Sequence, residues 1–249
     1  MEWYKRWFGE EYLIVYEHRD IAEAEREVEF ISKVLEIEND SIILDLCCGS
    51  GRHDRFLTQK GYHVIGLDYS LPLLRKAYNG FHVSGYPYYI LADARIIPFR
   101  DGIFDAVLNL FTSFGYFDDR ENMDLLKSIA RLLKNGGKFY IDYLNPQNII
   151  TRLTPETTKQ KNGLIVVEKR HLDTTNKRVE KSIIIRSGNV ENEFHESVRL
   201  YSVEEMLVML KEAGLIVSQV CGSIRGEQYN ENSDRMLIYG WKSNPKVSV

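Results

Sequence analysis

The most constraining stretch of the chain is Ser41-Ile42-Ile43-Leu44-Asp45-Leu46-Cys47, a continuous apolar run broken at once by Gly49-Ser50-Gly51. A run without polar alternation is what a parallel strand covered on both faces requires. Glycines at its end let the backbone reverse tightly and leave free N–H groups that a ligand can approach. A short helix follows from about Arg52 to Lys60, then a second strand, Gly61–Asp68. Ser70 can cap the next helix, with Pro72 in its first turn, where a missing N–H costs little.

The same rhythm runs on both sides of this unit. Residues 20–36 carry Ile21, Ala24, Val28, Ile31 and Leu35 on one helical stripe. Tyr88–Leu91 and Phe104–Leu110 read as strands. An amphipathic helix over 120–134 stops at Asn135-Gly136-Gly137, before a strand over Lys138–Leu144. Strands alternating with helices predict an α/β fold with a doubly wound, mostly parallel sheet. After Pro146 the pattern changes. Leu164–His171, Arg178–Arg186 and Phe194–Tyr201 are β-branched stretches with turns but no helices between them. They predict an antiparallel β insert over 146–201 in a core formed by 1–145 and 202–249. Ser202-Val203-Glu204-Glu205 is a capping box, and Leu215–Cys221 with Met236–Trp241 form a closing antiparallel pair.

Two acids stand at fixed places in the strand-helix unit. Asp68 ends the second strand, seventeen residues after Gly51, where it can accept hydrogen bonds from both hydroxyls of a ribose. Asp93, just beyond the third strand, can accept from an adenine amino group. A dinucleotide site shares this geometry but needs a third glycine three residues after Gly51, and that position is Asp54. A carboxylate facing two phosphates is repulsive. An adenosyl ligand without phosphate, S-adenosylmethionine, removes the conflict.

These residues resemble the class I S-adenosylmethionine-dependent methyltransferase family. Ile43–Gly51 looks like its first motif, with Cys47 in place of the first glycine. Asp68 and Asp93 match its next two acidic positions, and Leu133-Lys134-Asn135-Gly136-Gly137-Lys138 is similar to its turn before the fifth strand. The resemblance covers essentially the whole chain. Phe111-Thr112-Ser113-Phe114-Gly115-Tyr116, the insert and a Tyr-rich N-terminus look most similar to the sugar and glycine N-methyltransferase branch. It implies a seven-stranded Rossmann-like methyltransferase sheet with the last strand antiparallel, and an N-terminal segment folded over the cofactor.

The candidate cofactor contacts are Tyr12 and Arg19 of that lid, Asp45, Cys47, Gly49, Ser50 and Gly51 of the turn, and Asp68, Tyr69, Asp93, Ala94 and Leu110. Tyr116 and Tyr16 are the candidates for catalysis, and Phe111 and Tyr143 for the acceptor wall. For the lid tyrosines, ordinary helix packing is the competing reading. In the sugar enzymes a His stands where Tyr116 does, so acid-base roles do not carry over. His171 and His195 read as satisfied strand histidines, Cys47 and Cys48 as small buried fillers, and Arg225–Asn230 as a solvated loop.

Composition narrows the acceptor. Thirty-two basic and 36 acidic residues are mixed along 249 positions for a net charge of −4, with no basic block to track phosphates. The Asn109-Leu110-Phe111-Thr112 segment lacks the Pro-Pro pair of nucleic-acid and glutamine amino-methyltransferases. The expected partner is a small molecule accepting methyl on N or O. An RNA or protein methyltransferase with its specificity in the insert, or a non-catalytic cofactor binder, remains as the alternative. Fifteen tyrosines suit either packing or an aromatic cavity. Three cysteines, no apolar run of membrane-spanning length and no leader sequence predict a soluble cytoplasmic protein, with no metal site and homo-oligomerisation left open.

Overall fold

A computed structural model describes residues 2–16, 21–80, 85–161 and 163–244. A seven-stranded sheet contains β1 (Ile42–Leu46), β2 (His63–Asp68), β3 (Tyr88–Leu91), β4 (Phe104–Asn109), β5 (Leu133–Leu144), β10 (Leu215–Cys221) and β11 (Arg235–Lys242). Its order is β10-β11-β5-β4-β1-β2-β3. Only β11 runs against its neighbours, pairing antiparallel with both β5 and β10. The chain winds outward from β1 to β3, then returns to β4 on the other side of β1. Such a reversal leaves a crevice at the carboxyl ends of β1 and β4.

Both faces of the sheet are covered, which explains why β1 is apolar at every position except Asp45. Leu44 and Leu46 join a core with α6 (Asp119–Leu132) and α8 (Val203–Glu212). Ile43 points the other way, into a core with α3 (Ile21–Leu35) and α4 (Asp54–Gln59). The helix α5 (Leu71–Gly80) follows β2, and the Ser70 hydroxyl accepts from Leu73 N at 3.2 Å as its cap. At α8 the capping box forms in both directions, Glu205 N to Ser202 Oγ at 3.2 Å and Ser202 N to Glu205 Oε2 at 2.9 Å.

A second, four-stranded antiparallel sheet lies between β5 and α8 in the chain: β6 (Glu156–Lys161), β7 (Leu164–Asp173), β8 (Arg178–Ser187) and β9 (Val190–Arg199). It holds one strand more than the sequence reading, because Glu-Thr-Thr-Lys-Gln-Lys of β6 is a wholly polar edge strand with no alternation to detect. The helix α7 (Pro146–Arg152) precedes it, capped by Asn145 Oδ1 accepting from Gln147 N at 3.1 Å. Two short N-terminal helices, α1 (Tyr4–Trp7) and α2 (Glu10–Val15), pack on this sheet. Trp7 is buried with Val166, Ile183, Ile185 and Phe194.

Three expectations are corrected here. The helix α6 ends at Leu132, because Leu133 is extended (ψ 139°), fully buried and already paired with Phe104; Asn135-Gly136-Gly137 is an irregularity inside β5 instead of a helix stop. β9 spans Val190–Arg199, ending two residues before the expected boundary, since Leu200 and Tyr201 turn into the main core. Tyr143, expected on the acceptor wall, is 0% exposed. On β5 the side chains of Phe139, Ile141 and Tyr143 share the α6/α8 face, and strand periodicity leaves Tyr143 no route to the crevice. Its hydroxyl donates to the Arg199 carbonyl and accepts from Tyr201 N at 3.3 Å. Tyr143→Phe leaves both groups without that partner and is expected to lower stability by about 1–3 kcal/mol in urea denaturation. An unchanged midpoint would return Tyr143 to the list of groups free to serve a ligand.

Candidate cofactor and acceptor site

The crevice is a cavity of about 440 Å³ running from the glycine turn to an aromatic wall. The turn is wound tightly: Cys47, Gly49 and Gly51 all have left-handed φ, at 67°, 57° and 68°. That conformation costs a non-glycine residue on the order of 1–2 kcal/mol, which Cys47 bears. Gly51 has a second constraint, since a Cβ there would collide with the Tyr89 hydroxyl and stand 3.0 Å from Ala77 Cβ.

The sequence reading expected the turn's amides to be free for a ligand. The structure corrects this. Cys47 N and Cys48 N donate to Leu67 O at 2.7 and 3.0 Å, Gly51 N donates to Cys48 O at 3.1 Å, and Gly49 N donates to Asp68 Oδ2 at 2.8 Å. A turn that consumes these amides internally is a poor cradle for phosphate. The cavity lining carries the carboxylates Asp45, Asp68 and Asp93 together with the basic side chains of Arg52, Arg55 and Lys76.

Asp68 does more than end β2. Its second oxygen accepts from Ser70 N at 2.8 Å, so one carboxylate joins the loops that follow β1 and β2. Burial pushes it up to about 6 against the pull of those backbone amides. Asp93 behaves in the opposite way. Burial raises it, but the guanidinium of Arg95, 2.7 Å from Oδ2, holds it below the usual carboxylate range. Arg95 also binds Glu2 at 2.7 Å and Glu121 at 3.0 Å, tying the start of the chain to the cavity rim. Burial raises the thiols of Cys47 and Cys48, so both stay protonated and neither is a nucleophile.

The far wall is built from the loop after β4. Phe111 and Thr112 are both left-handed, at φ 55° and 58°, a strained pair that sequence does not announce. Asp142 on β5 holds them: its Oδ2 accepts from Phe111 N at 2.9 Å and its carbonyl from Thr112 N at 2.8 Å. Arg235 on β11 completes the clamp, bonding Asp142 Oδ1 at 2.7 Å and Thr112 Oγ1 at 2.8 Å. Arg52 and Arg235 flank the Phe111 ring at 5.5 and 5.6 Å.

The insert reaches this wall through β8. Arg178 donates to three consecutive carbonyls, Gly115, Tyr116 and Phe117, each at 3.1 Å. Three residues further on, the Lys181 ammonium donates to the Tyr16 hydroxyl at 2.6 Å and pairs with Glu196 at 2.5 Å. Glu196 also accepts from Trp7 Nε1 at 2.5 Å and from Tyr16 at 3.3 Å. The N-terminal segment is therefore held by the insert on one side. On the other, Phe8 O accepts from Ser70 Oγ at 2.5 Å.

Of the residues singled out from sequence, Tyr12, Tyr16, Asp45, Cys47, Gly49, Ser50 and Gly51 line this one cavity, as do Asp68, Tyr69, Asp93, Ala94, Leu110, Phe111 and Tyr116. Arg19 lies outside the described residues, and Tyr143 is elsewhere. His195 is exposed on β9, 3.2 Å from Ser182 Oγ, and His171 is exposed on β7. Sequence reasoning missed His53, which lines the cavity and bonds Glu27 at 2.6 Å, and it missed the lining aromatics Phe8 and Phe117. It also misjudged Asp54, which does not face the mouth but is fully buried beneath the turn. Among the described residues no helix is long and apolar enough to cross a membrane, and no three His, Cys, Asp or Glu side chains converge as a metal-binding group.

Residues 43–137 match the family model described as a methyltransferase domain. The cypemycin N-terminal methyltransferase of a Streptomyces species is 29% identical over 203 residues, covering 79% of this chain and 81% of its own. Two solved structures share the fold. The CcbJ methyltransferase from Streptomyces caelestis superposes with a TM-score of 0.80 at 20% identity, covering 96% of this chain and 98% of that one. CalS10 from Micromonospora echinaspora, an amino pentose methyltransferase with S-adenosylmethionine bound, gives 0.66 at 19% identity, covering 94% and 96%. With a Rossmann-like sheet and this glycine turn, residues 43–137 are a methyltransferase domain, for which S-adenosylmethionine is the cofactor.

The residues present suit that cofactor. Asp45 is 1% exposed, lines the cavity and accepts from no N–H group, so an ammonium there would meet an open acceptor. Asp68→Ala is expected to weaken cofactor binding by about 1.5–3 kcal/mol in calorimetry. The ionised carboxylate is the better acceptor, so wild-type affinity should fall as pH drops through about 6. That acid limb should be absent from the variant, and an identical pH profile in both would remove Asp68 from the site.

Proposed function

We propose that the chain transfers the methyl group of S-adenosylmethionine to the neutral amine of a small molecule. The carrying observation is the cavity itself. It is continuous from the glycine turn to Phe8, Tyr12, Tyr16, Phe111 and Tyr116, with the N-terminal helices contributing to its walls, and its volume of about 440 Å³ must hold cofactor and acceptor together. That supports a compact acceptor over a polymer. The relatives that act on an N-terminal amine and on an amino pentose support nitrogen as the nucleophile.

The cofactor supplies an activated methyl on a sulfonium, and the protein's task is alignment. In this reading Asp68 and Asp93 hold the adenosyl group, and Asp45 takes the α-ammonium. The aromatic wall gives a low-polarity face to the positive charge as it passes from sulfur to nitrogen, so it binds both ends of the reaction without selecting the transition state. Tyr116 and Tyr16 orient the amine by accepting its hydrogens, leaving the nitrogen lone pair toward the methyl. With the cofactor bound, attack by that lone pair would form the C–N bond as the C–S electron pair returned to sulfur, and the product ammonium would lose a proton to water. An amine that arrives neutral needs no strong base, whereas a hydroxyl acceptor does.

Labelled cofactor offered with amino sugars, amino acids, short peptides, their hydroxy counterparts and RNA tests the reading. Label is expected in the small amines. Label in hydroxy compounds or RNA alone overturns it. Tyr116→Phe is expected to lower turnover of the labelled amine about tenfold or more while cofactor affinity holds within about twofold; an equal effect on neither would make Tyr116 a packing residue.

A further inference from the structure

The acid pair beneath the turn points to a function for Asp54. Asp45 on β1 stands in register with Gly66 on β2. A Cβ at Gly66 would lie 2.8 Å from Asp54 Oδ2, so the missing side chain makes the space that Asp54 fills beside Asp45. The place a third glycine would take in a dinucleotide fold thus holds a carboxyl, and the room comes from a glycine on the facing strand. Both acids are buried, at 1% and 0% exposure; the Tyr89 hydroxyl faces Asp54, and no N–H donor bonds any of the four oxygens.

Two ionised carboxylates cannot share such a place; one keeps its proton and donates it to the other. We infer that Asp54 is a positioning residue for the cofactor: its carboxyl hydrogen bonds Asp45 across Gly66, aiming one anionic oxygen of Asp45 into the cavity toward the α-ammonium. The inference rests on the cofactor reading above and adds a residue that does not itself line the cavity. Burial pushes Asp54 far up, and Asp45's charge adds to it, while Asp45 is raised by burial but pulled back by His53, by Asp54 and by Arg52. The groups that favour an anion, His53 and Arg52, act on Asp45, and in this proposal the shared proton sits on Asp54. The groups facing the pair are His53 with its partner Glu27, Arg52, Asp68, the Tyr89 hydroxyl and the protonated Cys47 and Cys48.

Calorimetry with two probes separates positioning from general damage. S-adenosylhomocysteine carries the ammonium, and 5′-methylthioadenosine lacks the amino-acid arm. Asp54→Val should weaken S-adenosylhomocysteine about tenfold or more, the loss of a bond to a charged group, and leave methylthioadenosine within about twofold. Asp54→Asn, whose amide still donates, should keep S-adenosylhomocysteine within about threefold. The infrared spectrum at neutral pH should show a protonated carboxyl stretch in the wild type that Asp54→Asn removes. Equal losses for both probes, an unaffected Asp54→Val, an Asn variant as weak as the Val variant, or no such carboxyl band overturns the inference. Failure of the wild type to bind either probe would instead sink the cofactor reading.

Discussion

The site depends on one carboxylate serving two loops. Asp68 accepts from Gly49 N and Ser70 N, which follow different strands, and so ties together two loops that form one wall of the crevice. Burying a charge there is costly, and burial raises Asp68 to about 6 although the backbone amides it accepts from pull the other way. The return is a glycine turn whose amides are mostly spent inside the protein. A turn of this kind offers few amides to a phosphate and leaves carboxylates facing the cavity, which limits the ligands it suits. A cationic adenosyl cofactor is the natural occupant.

The acceptor side is built on a different plan. Its residues come from the loop after β4 and from the N-terminal segment, neither of which forms a regular element long enough to hold itself. Arg178 and Lys181, both on β8, supply that rigidity, the first through three loop carbonyls and the second through Tyr16. Asp142 and Arg235 do the same for the strained Phe111-Thr112 pair. In the proposed reading the second sheet brackets the acceptor wall, and a change of acceptor could come from the bracket without any change to the cofactor half.

The cofactor half was readable because its signals are local. An unbroken apolar strand, a glycine pair and an acid at a set interval are consequences of strand length, tight reversal and ribose geometry. The acceptor half was not. Tyr143 looked like a wall residue because it sits near the carboxyl end of β5, but its face is decided by strand parity against α6 and α8. β6 has no apolar alternation because only one edge of it is paired. Asp54 looked like an exposed charge because nothing local shows that Gly66, on the next strand, leaves a hole for it.

By itself the order of residues determined the doubly wound sheet, the glycine turn and the acids Asp68 and Asp93, since each follows from backbone sterics and side-chain period within a short stretch. Tertiary structure alone decided which amides are free, which carboxyls are buried together and which tyrosines face the cavity. Those outcomes depend on groups far apart in the chain meeting in a space that water does not reach, where a single partner decides both charge and direction.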